Sequence, residues 1–94
     1  MKREKVESLE DARNQIDAID DALIELIATR QFYVDQVIRF KRKSEDVKSP
    51  RIEEVIEKVC AQASEQGVDP DLIENIYREM IQYFIRRELK EIRP

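Results

Sequence analysis

Arg30 and Lys41 are the side chains whose placement first points to chemistry. They lie on a seam of three- and four-residue steps, Ile16, Asp20, Leu23, Ile27, Arg30, Val34, Val37 and Lys41, most of whose other members are apolar. At 3.6 residues per turn the two cations return to within about 20° of each other, with about 16 Å of rise between their Cα atoms. Long side chains from those positions can converge on one small anion. A buried cation needs a counter-charge, so a carboxylate has to neutralise each one, from a ligand or from the protein. In the protein-only arrangement Arg30 sits at the edge of the stripe and snorkels to a glutamate of a second helix. Lys41 is then simply a cation favoured near a helix C-terminus.

Arg13 heads the same seam. It lies about 26 Å from Arg30 along a straight helix, too far to share one small molecule within a subunit, but an antiparallel dimer would bring it to the partner's site. Late in the chain, Glu88 continues the stripe of Tyr77, Met80, Ile81 and Phe84, and burial there would raise its carboxyl pKa. Its plainer role is as an ion-pair partner of Arg86, Arg87 or a basic residue elsewhere.

Other chemistries are removed by what the chain lacks. It has no histidine and a single cysteine, Cys60, which excludes disulfide frameworks, thiolate or imidazole metal sites and histidine-based acid/base catalysis. One glycine and three prolines leave no phosphate-cradling loop and argue against a turn-rich β fold. Arginine, lysine and carboxylates remain, and neither a metal nor a cofactor is expected.

The elements that must hold these residues are helices. Ser8 caps a first helix whose apolar positions recur at helical spacing to about Phe40, with no glycine or proline from 9 to 47. Such a helix of about 35 residues is roughly 50 Å long. The remaining residues cannot cover both ends of it, so a second copy is expected to pair with it. Ser44 to Lys48 reads as a connector, and Ser49-Pro50 as cap and first residue of a second helix. That helix carries the stripe Ile52, Val55, Ile56, Val59 and Ala63 and ends near Gln66, before Gly67. Asp69-Pro70 repeats the start signal, and Leu72, Ile73, Ile76, Tyr77, Met80, Ile81, Phe84 and Leu89 carry a third helix toward Ile92. The expected fold is all-α, one domain over residues 1–94, with helices at about 8–44, 49–66 and 70–92.

Seventeen basic against twenty-one acidic residues, mixed along the chain for a net charge of −4, predict a well-solvated surface. The longest basic stretch is Arg39, Lys41, Arg42 and Lys43 around one Phe, too little for a nucleic-acid binder. Neither a signal peptide nor a membrane span is visible, so a cytoplasmic location is expected, and the shortness of the chain argues against a built-in second domain. A domain this small buries only about 60–65% of its unfolded surface, and association would help it.

The run Leu9-Glu-Asp-Ala-Arg13-Asn-Gln-Ile16-Asp-Ala-Ile19-Asp20, followed by Leu23, Leu26, Arg30, Val34, Val37 and Lys41, resembles the opening helix of the all-helical chorismate mutases. Arg-x-x-Ile-Asp-x-Ile-Asp is its most specific part. Ser49 to Val55, Gln66 to Pro70 and Ile76 to Ile81 are similar to the family's second and third helices, so the resemblance covers nearly the whole chain.

The resemblance implies an intertwined homodimer in which Arg13 crosses to the partner's site. Arg30 and the partner's Arg13 would hold two substrate carboxylates, Lys41 would touch a carboxylate and the ether oxygen, and Glu53 would accept from the ring hydroxyl. The chain departs from the pattern in three places. Arg51 stands one position earlier than the arginine that usually precedes the hydroxyl-binding glutamate, and Ile52 takes that place. Ser49 replaces a frequent aspartate. Glu88 stands where bacterial members usually have a glutamine and fungal relatives use glutamate. Arg39-Phe40-Lys41 and Tyr83-Phe84 are also similar to the isochorismate pyruvate lyases, which share the fold.

Rearrangement of chorismate to prephenate is one pericyclic step that needs no nucleophile, metal or cofactor, which suits this composition. The resemblance implies arginine forks that freeze the compact diaxial substrate, Lys41 stabilising charge on the ether oxygen, and Glu88 acting there as a protonated donor. Lyase action on isochorismate, a mutase for an amino-substituted chorismate, and a non-catalytic helical dimer with structural ion pairs remain as alternatives.

Overall fold

The computed structural model of the chain describes residues 2–40 and 51–92. The described residues form three helices, α1 (Leu9–Phe40), α2 (Arg51–Glu65) and α3 (Pro70–Ile92), and no strand, as an all-α chain requires. None of the helices is long and apolar enough to cross a membrane. By their internal contacts the residues divide between Asp35 and Gln36 into two compact units, and α1 is continuous across that division.

Ser8 starts α1 as its capping chemistry dictates. Its Oγ accepts the Asp11 amide hydrogen at 3.0 Å and its carbonyl accepts from Ala12 at 3.1 Å, while Glu10 and Asp11 place negative charge in the first turn. Phe40 is the last described residue of α1, so the expected continuation to about residue 44, the connector and the Ser49-Pro50 start all lie outside the described residues. No residue of α1 is buried. On the seam, Ile16 is 55%, Leu23 49% and Ile27 36% exposed.

Helices α2 and α3 form a tight hairpin. The amide of Val68 donates to the Ala63 carbonyl at 2.8 Å and that of Gly67 to the Ser64 carbonyl at 3.1 Å, a doubly bonded helix ending that needs a left-handed residue. Gly67 supplies it with φ of 78°. Two residues on, Asp69 caps α3 by accepting the Asp71 amide hydrogen at 2.9 Å, and Pro70 fills the first helical position, where an amide hydrogen has no helical partner anyway. Beside this turn the Cys60 thiol donates to the Pro70 carbonyl at 3.6 Å, closing the near end of the hairpin.

The core is small and sits in this second unit, where Ile56, Ala63 and Phe84 are the buried apolar residues. Ile52, Val55 and Val59 of α2 are half-buried around them, which matches the stripe read from spacing. The α3 stripe divides. Ile73, Tyr77, Met80 and Ile81 are half-buried with Phe84 at the centre, whereas Leu72 and Ile76 are about half exposed, as is Tyr83. These three lie roughly a quarter-turn round the helix from the inner row, on a face that the hairpin does not cover.

Candidate active site

Arg13 and Arg30 belong to the first unit. Arg13 stands in the second turn of α1 and is exposed, while Arg30 is half-buried about two-thirds of the way along the helix. They stand 17 positions apart on one unbroken helix, and the separation of about 26 Å keeps the two guanidinium groups from one small ligand within one chain. Each is held on regular helix, so its Cα position is set by the backbone ladder rather than by a loop.

Glu53 and Arg51 belong to the second unit, in the first turn of α2. Arg51 is the first helical residue and is exposed. Glu53 is occupied by a partner that the spacing of the sequence did not reveal. Arg78 of α3 donates from Nη2 to Glu53 Oε1 at 3.0 Å and from Nη1 to Oε2 at 3.1 Å, a two-pronged fork, and its Nε donates to Glu74 Oε2 at 2.7 Å. The fork follows from the hairpin's register: stepping back two turns from Cys60 on α2, and on two turns from Pro70 on α3, brings Glu53 opposite Arg78.

The electrostatics follow from this geometry. Hydrogen bonds and charge from Arg78 hold the Glu53 carboxyl below the ordinary carboxylate range, so it is ionised and can only accept. The Glu53 and Glu74 carboxylates in turn raise the Arg78 guanidinium, so it stays charged. The pair remains open to water, with side-chain exposures of 71% for Glu53 and 38% for Arg78. Its value lies in orientation more than in stability. A forked carboxylate still has about half of its lone-pair sites free. Glu53 can therefore accept from a ligand while Arg78 holds it.

Other expected site residues are described less fully. Lys41 lies outside the described residues, and for Glu88 only its place on α3, one turn beyond Phe84, is described. Arg39, of the lyase-like run, donates to Gln36 Oε1 at 2.7 Å and lies over the Phe40 ring, 5.7 Å from its centroid, so it is engaged along its own helix. Arg78 is the one addition to the residues singled out from sequence. Half of its environment was readable there, because Glu74 and Arg78 are spaced four apart on one helix.

Residues 12–89 match the sequence model of the chorismate mutase type II family. The chain belongs to that family. The matched stretch spans Arg13, Arg30, Lys41, Arg51, Glu53, Arg78 and Glu88, and all three helices of the type II fold fall within it or run through it. The chain is also similar to a protein of Pseudomonas aeruginosa named isochorismate pyruvate lyase. The two are 28% identical over 83 residues, which cover 87% of this chain and 82% of the relative. A type II chain can thus resemble a protein named as a lyase along most of its length.

Proposed function

We propose that this chain is a chorismate mutase working as a homodimer, with each site completed by Arg13 of the neighbouring subunit. The family match over residues 12–89 carries this reading, because it includes every residue to which the reaction assigns a role. In the site, Arg30 and the partner-donated arginine fork the two carboxylates of chorismate and hold it in the compact conformer. Lys41 stabilises the negative charge that develops on the ether oxygen, and protonated Glu88 donates to the same atom. Glu53, ionised and oriented, accepts from the ring hydroxyl. Arg51 is exposed at the start of α2 and guides the dianion by charge rather than by a fixed contact.

The dimer reading is supported by the exposure of α1. Thirty-two residues of helix with none buried leave the seam of Ile16, Leu23 and Ile27 open for a second copy of the same helix. Sedimentation of the purified chain should give twice the monomer mass, and Leu23→Asp should shift it toward monomer.

A second reading, isochorismate pyruvate lyase, is favoured by the similarity to the protein of that name. Glu53 favours the mutase, since the lyase transfers a ring hydrogen and has less use for a fixed acceptor at the hydroxyl. Offering the purified protein chorismate, isochorismate and an amino-substituted chorismate in separate reactions decides among them. Prephenate from chorismate is the expected product. Salicylate with pyruvate from isochorismate, and no prephenate, overturns it in favour of the lyase.

A further inference from the structure

The fork between Arg78 and Glu53 is more ordered than a surface staple requires. A single contact would join α2 to α3, yet both carboxylate oxygens are engaged, and the guanidinium plane is itself fixed through Nε by Glu74 at 2.7 Å. A planar fork on a planar carboxylate sets the direction of the remaining lone pairs as well as the position of the atoms. Those lone pairs belong to a side chain that is 71% exposed, so a ligand can reach them. The three groups together carry two negative charges and one positive. Arg78 thus leaves the cluster only mildly negative, able to accept from a neutral donor without strongly attracting a cation.

We propose that Arg78 is a positioning and specificity-determining residue, which aims Glu53 at the substrate's ring substituent and, by its charge, sets the preference for a hydroxyl over an ammonium. This rests on the reading of Glu53 as the acceptor of the ring substituent. Without the guanidinium, Glu53 and Glu74 would form a pair of uncompensated carboxylates. Such a pair is a poor fixed acceptor for a hydroxyl and a better site for a cation.

The experiment measures kcat/KM for chorismate and for its amino-substituted analogue with wild type, Arg78→Met, Arg78→Lys, Glu53→Gln and the double variant Glu53→Gln/Arg78→Met. Arg78→Met is expected to lower kcat/KM for chorismate about tenfold and to raise the amino-to-hydroxyl ratio by a similar factor. In the Glu53→Gln background the same change should have almost no further effect, because Arg78 acts through Glu53. Arg78→Lys keeps the charge and loses the fork, so the ratio should stay near wild type while the rate for chorismate falls. Helicity by circular dichroism identifies any variant that has not folded. Should Arg78→Met not fold, Arg78→Lys decides: a rate for chorismate within about twofold of wild type overturns the proposal. Additive effects of Glu53→Gln and Arg78→Met, or an unchanged ratio in folded Arg78→Met, overturn it as well. Absence of turnover of both substrates by wild type overturns the reading of the site and this inference with it, whereas turnover by wild type with indifferent Arg78 variants overturns this inference alone.

Discussion

The Arg78 guanidinium closes on both oxygens of Glu53, at 3.0 and 3.1 Å, and joins the first turn of α2 to the third turn of α3. Because Arg78 depresses the Glu53 carboxyl pKa in the folded chain, the stabilisation it gives is present above the ordinary carboxylate range. It is lost as pH falls through the depressed folded value. Wild type should therefore melt above Glu53→Gln at neutral pH, and the two midpoints should merge in acid. The exposure of the pair adds a second check: molar salt should shrink the neutral-pH difference.

Complementation tests whether Arg13 crosses between subunits. Arg13→Ala and Arg30→Ala should each lower kcat/KM for chorismate by roughly a hundredfold or more, with helicity unchanged. Mixing the two variants after unfolding and refolding gives half heterodimers, each with one intact site, so about a quarter of wild-type activity should return. If Arg13 served its own subunit, no activity would return.

Glu88 has a directional test. If Glu88 is the protonated donor proposed above, it is lost as it ionises, and wild-type kcat should decline with rising pH. Glu88→Gln, which donates at every pH, should give a flat profile over the same range. Identical profiles for the two proteins would remove Glu88 from the reaction.

At the hairpin turn, Gly67→Ala tests backbone conformation alone. No atom lies within 4 Å of where the new Cβ would stand, so any cost comes from its φ of 78°. A loss of about 1–2 kcal/mol is expected in urea denaturation, with the slope of the transition unchanged. Asp69→Ala should cost about 1 kcal/mol through the lost cap of α3.

The parts of this fold that were legible in the sequence are those decided within a few residues. Ser8 before the first apolar repeat, Gly67 after the second and Asp69-Pro70 before the third each fix a helix end by local hydrogen bonding, and the structure shows those bonds. The α3 stripe was legible only in part, because periodicity does not tell which of two adjacent rows, Ile73 to Phe84 or Leu72 to Tyr83, meets the hairpin partner. The Glu53 fork was not legible, since a contact across 25 positions depends on the register that the turn imposes. Arg30 was legible as a cation on an apolar seam, and the structure finds it half-buried, between the two environments that its spacing allowed.

The long first helix, all of whose side chains remain at least partly in contact with water, has a consequence for how this protein is handled. Ordering a residue costs about 1–2 kcal/mol, and a helix with no buried residue recovers little of that by itself. The melting temperature should therefore climb with protein concentration, and dilution alone should act as a denaturant.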